Sequence, residues 1–316
     1  MAAQGGGDVE QVLRERFHLS NEEVAQARNG TPIAKLLAGA ERAELGIVGT
    51  VRLPGDKARL AGWIRTIEQF RGAAEIGTSK AIALPPTAAS FQGVVLDATD
   101  LADLRHCRAD ACAVRIPSDA LARLQREVQW DTAAAAGQAS TIFREMLRGY
   151  AAAYSAGGNA ALEDHGGSDF RRLLTRAVTL DSLAPELVTY LRDYPAATLR
   201  GGDQCLYWST TATDSAQVIS LHHLVVYPRS ADEIVIVDRI VYASRYFDAG
   251  ALVISLRDAP GGGFYAIAGG RVLAPPLSGV AATVLRRQVE RAALDSLRTY
   301  LTWMRDSLAL PPGSGG

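Results

Sequence analysis

Lysine is nearly missing from this sequence: Lys35, Lys57 and Lys80 are the three in 316 residues. Arginine carries the remaining positive charge, as the codon usage of a GC-rich genome produces, so arginine clusters here are weak markers of phosphate binding. Lys plus Arg total 33 and Asp plus Glu 34, a formal net charge of −1. That balance excludes a global field that would recruit nucleic acid or an anionic membrane. No apolar run approaches the ~18 residues that a membrane-spanning helix needs. The opening MAAQGGG has neither the basic region nor the apolar stretch of a signal peptide. It reads as a natural tail, or as a start residue joined to the remnant of an Ala-x-Ala type cleavage site, and the second reading implies export.

Catalytic signatures are missing too. There is no G-x-S-x-G elbow, no H-E-x-x-H and no G-x-G-x-x-G. The PGGGF run from Pro260 lacks the Gly-Lys-Ser/Thr ending of a phosphate loop and precedes a strand. Cysteine is scarce, at three residues, and no second Cys or His pair stands at ligand spacing, so no metal and no cofactor are expected. Cys107 and Cys112 enclose four residues. They close as a disulfide if their Cα atoms come within about 7 Å, which suits an oxidising compartment; the other reading is two reduced thiols. Cys205 stands alone.

What is present is ordinary globular material, 48% apolar and 21% charged. The length fits two domains or one domain with a large insertion. Residues 1–43 read as an N-terminal helical segment. Val9, Leu13 and Phe17 fall at helical spacing, Ser20 and Glu23 form a capping box, and Pro32 opens a third helix through Leu37. GIVGTVRLP is a strand that leads into a helix with Leu60, Ile64 and Ile67 on one face. GVVLDATDLADL reads as a strand and short helix, and ACAVRIP as extended. Helices follow from Ser118, the longest stopping at Gly157-Gly158, with two shorter ones between 159 and 200. After Gly201-Gly202 come five stretches rich in β-branched and aromatic residues, separated by turn chemistry, which predict an antiparallel meander. A long helix from about Val280 to Leu308 closes the chain, and 311–316 is a disordered tail.

That order resembles the helix-grip fold of the START and Bet v 1-like superfamily. The fold class it implies is α+β, a curved antiparallel sheet wrapped on a long C-terminal helix. The resemblance covers 44–70 and 201–310, with 71–200 as a mainly helical insertion. It implies an apolar cavity between sheet and helix, and the small residues of YASRYFDAGALV and FYAIAGG are consistent with one. The stretches LYWST, SLHHLVVY and IVYASRYFDA also resemble a little-characterised group of exported bacterial proteins. These share Tyr-Trp-Ser, a histidine strand and Tyr-Ala-Ser-x-Tyr-Phe. Some of them carry Asn-Arg-Ser where this chain has AGGRVLA. This second resemblance implies a periplasmic or secreted protein, with a cytoplasmic one as the alternative, and supplies no activity.

The function expected from these readings is binding or transport of an apolar small molecule, lipid, sterol-like or polyketide-like, with transient membrane contact as a possible accompaniment. The alternative is an enzyme on the same scaffold, a cyclase, isomerase or hydrolase, with His223 or His222 as base and Tyr242, Tyr246 and Arg245 as partners. Adjacent strand residues point to opposite faces, so one of the two histidines faces a cavity. The plainer reading of each is a core histidine bonded to a backbone carbonyl. The expected ligand contacts are Tyr207, Trp208, His223, Tyr242, Tyr246, Ala293, Leu297 and Trp303, the last at the pocket rim. Arg245 is expected to pair with Asp248. A third reading is an interaction module with an apolar patch on 118–200.

Overall fold

A computed structural model of the chain describes residues 9–37, 44–68, 70, 77–108, 112–165, 185–213, 216–273 and 280–309. Its organising element is a curved sheet of eight strands, every neighbouring pair antiparallel, in the order β1-β2-β8-β7-β6-β5-β4-β3. The strands are β1 (Ile33–Leu37), β2 (Glu44–Leu53), β3 (Thr78–Ile82), β4 (Asp203–Ala212), β5 (Gln217–Ser230), β6 (Glu233–Ala243), β7 (Ala249–Asp258) and β8 (Phe264–Leu273). β4 to β8 are the expected meander. β2 closes onto β8, so early and late parts of the chain lie side by side.

The helices are α1 (Val9–Glu15), α2 (Asn21–Arg28), α3 (Lys57–Arg65), α4 (Ala98–His106), α5 (Ser118–Glu127), α6 (Ala135–Gly157), α7 (Pro185–Asp193) and α8 (Val280–Ala309). The capping box at α2 is present in both directions, with Glu23 N–H donating to Ser20 Oγ at 3.1 Å and Ser20 N–H to Glu23 Oε2 at 2.7 Å. α6 ends at Gly158, where φ is +58°. A Cβ there would lie 1.7 Å from the Tyr194 carbonyl oxygen, so no other residue fits.

Apolar alternation sorts the two sheet faces. One face carries Val51, Leu53, Leu224, Ile236, Ile254 and Phe264, and α3 and α8 cover it through Leu60, Ile64, Leu297, Leu301 and Met304. The opposite face is covered by α1 and α2 over β2 and β8, and by α4 to α7 over β4 to β7. With helices on both sides, β5 is buried continuously from Val218 to Val226, which explains its near-unbroken apolar sequence. The arrangement is α+β, a curved antiparallel sheet with α3 and α8 on one face and a layer of helices on the other.

Local propensity is overridden in several places. Residues 33–37 do not continue the helical N-terminus. They pair with β2, Ile33 opposite Thr50, because the backbone groups of that edge take up IAKLL as a strand. Residues 78–82, grouped by sequence with the helical insertion, form β3 on β4. The stretch 93–97 is not a strand; it leads irregularly into α4, capped by Asp97 Oδ1 on Asp100 N–H at 2.8 Å. Residues 112–117, the described part of ACAVRIP, form no strand, although Arg115 N–H donates to Ser244 O at 2.8 Å. α5 begins at Ser118, with Pro117 at its cap position. The first of the two helices expected between 159 and 200 and the tail at 311–316 lie largely or wholly outside the described residues.

The small residues of FYAIAGG do not line an open space. Ala266 and Ala268 are fully buried in the cluster with α8. Gly49 shows why: a Cβ there would come within 2.8 Å of both Leu297 and Leu301. Small residues bring helix and sheet together at the β1–β2 end.

Candidate functional site

The adjacent histidines of β5 do point to opposite faces, and each anchors its own polar cluster. His222 lies opposite Tyr207 on β4 and Ile240 on β6, while His223 lies opposite Leu206 and Arg239. The register shifts here, Leu221 pairing with Tyr242 and His222 with Ile240, so Val241 is the extra residue of a bulge in β6 that increases the local twist.

On the α8 face, His222 Nδ1 meets Asp238 Oδ1 at 3.0 Å, and its Nε2 meets Ser209 Oγ at 3.0 Å. An ionised carboxylate only accepts, so Nδ1 carries the hydrogen and Nε2 accepts from the serine hydroxyl. Tyr207 donates its hydroxyl to Asp238 Oδ2 at 2.5 Å. Its ring stacks on the imidazole at 4.5 Å with planes 9° apart. Ser209 is 2% exposed and His222 8%, while the Asp238 side chain keeps 21% of its surface. Three neighbouring strands thus supply a hydroxyl, an imidazole and a carboxylate in line. The surrounding face is aliphatic, and α8 lies closest to β1 and β2, α3 to β6 and β7.

On the opposite face, under α6 and α7, His223 is fully buried. Its Nε2 donates to Gln204 Oε1 at 2.5 Å, and its Nδ1 accepts from the Tyr154 hydroxyl at 2.7 Å. Arg239 Nη1 donates to the same Tyr154 oxygen at 2.8 Å. Burial, reinforced by the Arg239 charge, pushes the His223 pKa down to about 3, so the imidazole is neutral. Burial also raises the Tyr154 hydroxyl to about 12. Gln204 extends this network to a cavity of about 280 Å³ lined by Tyr190, Tyr194, Leu199 and Val225 among others. A second cavity of about 370 Å³ opens between α5 and α6 beside Tyr150 and Met146.

The sequence-predicted ligand contacts therefore do not share one cavity. Tyr207, Leu297 and Trp303 belong to the α8 face. Trp208, His223 and Tyr242 face the insertion, where Trp208 Nε1 donates to Ser90 O at 2.7 Å and Tyr242 to Arg115 O at 2.6 Å. Trp303 is half-buried, 4.6 Å from Phe70 in an edge-on contact, and Ala293 is half-exposed. β6 ends at Ala243 and Tyr246 takes a positive φ of +66°, so Tyr246 does not continue the strand face that carries Tyr242. Arg245 pairs with Asp100 at 2.8 Å and Asp103 at 2.6 Å, and not with Asp248, which binds Arg115. Adjacent residues at a strand end diverge, and the α4 carboxylates lie on the arginine's side. The large apolar side chains exposed among the described residues are Leu36, Leu84 and Val95, none within 118–200.

Sequence reasoning missed Asp238, Ser209, Gln204 and Tyr154 as site members. Asp238-Arg239 was detectable: two charges inside the apolar run EIVIVDRIVY demand buried partners. The Cys107–Cys112 disulfide is formed, with Cα atoms 4.8 Å apart.

No protein-family model and no curated protein sequence matches the chain. Among solved structures it is similar to a STAR-related lipid transfer protein from Xanthomonas axonopodis, at 7% identity and TM-score 0.37, over 88% of this chain and 99% of that one. It is also similar to the di-domain ARO/CYC StfQ from the steffimycin biosynthetic pathway, at 11% identity and TM-score 0.24, over 96% and 97% of the two chains. A third similarity is to Ara h 8.0201, at 12% identity and TM-score 0.20, over 42% of this chain and 89% of that one.

Proposed function

We propose that this protein binds an apolar small molecule, lipid, sterol-like or polyketide-like, on the α8 face of its helix-grip sheet. The observation that carries the reading is the Tyr207–Asp238–His222–Ser209 relay. A polar cluster on an aliphatic face loses solvation and is retained where it orients a ligand's polar group. α8 covers the β1–β2 end of that face through Leu297 and Leu301 and α3 packs on β6 and β7; the reading puts the ligand's polar group beside the relay on β4 to β6. No helix among the described residues is long and apolar enough to cross a membrane, so a lipid would be collected by transient surface contact.

Native mass spectrometry after mild purification tests the reading. The expected result is a retained or acquired apolar compound, with retention reduced in His222→Leu. A folded protein that neither retains nor takes up such a compound refutes it. Export to an oxidising compartment, periplasmic or secreted, belongs to the same proposal, and the disulfide supports it. Finding Cys107 and Cys112 alkylated in cells quenched before lysis would count against export.

The enzyme reading keeps a specific footing in the same relay. His223 is a poor base, since burial and the Arg239 charge push its pKa down to about 3. His222 has a hydroxyl on one nitrogen and a carboxylate on the other.

A further inference from the structure

We propose that Ser209 is an acyl-accepting nucleophile, with His222 as its general base and Asp238 as the positioning carboxylate. The proposal rests on the reading that the ligand occupies the α8 face, and it names the ligand's reactive group: a carboxylic ester or thioester on an apolar acyl chain.

The geometry supplies the requirements of nucleophilic catalysis in order. A serine hydroxyl is inert until a base within hydrogen-bond reach takes its proton, and His222 Nε2 is 3.0 Å from Ser209 Oγ. The base must hold the right tautomer, and the Asp238 contact to Nδ1 at 3.0 Å fixes it. The carboxylate must itself be held, and Tyr207 does so from its other oxygen. The side chains come from β4, β5 and β6, whose ladders fix their spacing. A rigid sheet positions a reacting set more accurately than loops do.

The reaction follows. Ser209 Oγ bonds to the acyl carbon as its proton passes to His222 Nε2, and Asp238 stabilises the imidazolium. The bond to the leaving alcohol or thiol breaks, and that group departs with the proton from Nε2. Water then gives a proton to His222 and adds its oxygen to the acyl carbon. The Ser209 ester bond breaks, the acid is released, and Nε2 returns the proton to Ser209. The sum is ester plus water to acid plus alcohol, or the thioester equivalent.

The sheet also limits the substrate. Ser209 lies opposite Ser79 on one side and Ser220 on the other, so β4's amides here belong to ladders and none is free for an oxyanion. A missing oxyanion donor costs about 10²–10³ in kcat. The relay therefore fits acyl groups with good leaving groups, such as aryl esters and thioesters, over unactivated alkyl esters. This face is aliphatic, so longer apolar acyl chains should react faster than acetyl.

The test uses the full chain and two probes, a long-chain alkyl fluorophosphonate and p-nitrophenyl octanoate. Intact and peptide mass spectrometry should find one phosphonyl group, on Ser209, formed with loss of fluoride. Labelling and octanoate hydrolysis should vanish in Ser209→Ala and His222→Gln and persist in Ser220→Ala. Asp238→Asn should lower kcat for the octanoate by about 10⁴ with KM little changed. A merely structural carboxylate would show instead as a lowered thermal melt without that split between kcat and KM. Label mapping on the unmutated protein needs no variant to fold. A folded protein that takes no label, or takes it elsewhere, overturns the nucleophile whatever it retains in native mass spectrometry. Label on Ser209 in a protein that holds no apolar compound upholds the nucleophile and refutes the carrier reading.

Discussion

Acidification should destabilise this protein through His223. In the unfolded chain an imidazole titrates near 6.5, and in the native protein burial and the Arg239 charge hold it at about 3. The other groups facing it are Tyr154, Tyr190, Tyr194 and Gln204. At pH 7.5 both states are neutral and the residue contributes no pH dependence. As pH falls through 6.5 the unfolded chain takes up a proton that the native chain refuses, so stability falls with pH. The loss is RT ln(1 + 10^(6.5 − pH)), about 0.8 kcal/mol at pH 6.0 and about 2 kcal/mol at pH 5.0, approaching a ceiling of about 5 kcal/mol near pH 3. The assay is urea denaturation followed by tryptophan fluorescence at pH 7.5, 6.0 and 5.0, on the native sequence and on His223→Gln. The variant is less stable at pH 7.5, since Tyr154 loses its acceptor, but the difference between the two proteins should shrink by about 2 kcal/mol at pH 5.0. Subtraction removes the carboxylates and the other histidines. Parallel stability curves would mean that His223 is protonated in the native state, and the neutral network would be wrong.

Gly49→Ala should cost about 1–3 kcal/mol by overpacking, because its Cβ would meet Leu297 and Leu301 at 2.8 Å; an unchanged thermal melt would place α8 further from β2. Arg245→Met should cost about 3–5 kcal/mol by leaving Asp100 buried without its guanidinium, and adding Asp100→Asn should recover part of that loss in denaturant titration. Reducing the Cys107–Cys112 bridge, five residues apart in sequence, should lower stability by about 2 kcal/mol from the chain entropy of so small a loop; a melt unaffected by reductant would contradict this.

The sheet's central meander and the closing helix were legible in the sequence because their signals are local: β-branched runs between turn residues, then a helical stripe through Leu297, Leu301 and Met304. β1 and β3 were not. Each is a five-residue edge segment whose conformation is dictated by a partner distant in sequence, and IAKLL after Pro32 has nothing internal to favour a strand. The alternation of His222 and His223 was legible from strand geometry. Their partners were not, because Ser209, Asp238, Gln204 and Tyr154 are brought in by register and by a helix 69 residues away. The Arg245–Asp248 pairing failed for the same reason. Sequence proximity suggested a partner, and two α4 carboxylates reached the guanidinium first.

The added helical layer also bears on the proposed chemistry. Without α6 and α7, the face of β5 carrying His223 would meet solvent, and that imidazole would titrate in the physiological range. Tyr154 and Tyr194 instead enclose it, with ring centroids 5.6 and 4.6 Å from its own, and it stays neutral. A neutral His223 puts no second charge behind His222, so the α8-face histidine can gain a proton from Ser209 without repulsion from its neighbour. Removing the Tyr154 hydroxyl tests this coupling. Tyr154→Phe leaves the ring in place and takes away the donor to His223 Nδ1 and the acceptor for Arg239 Nη1. If His223 then becomes protonatable above pH 5, Ser209 labelling should slow over the pH range in which His223 carries its proton, because a positive neighbour opposes the proton that His222 takes from Ser209. An unchanged labelling profile, in a variant whose His223 is shown by NMR to titrate, would mean that the two faces act independently and that the insertion serves only to cover the sheet.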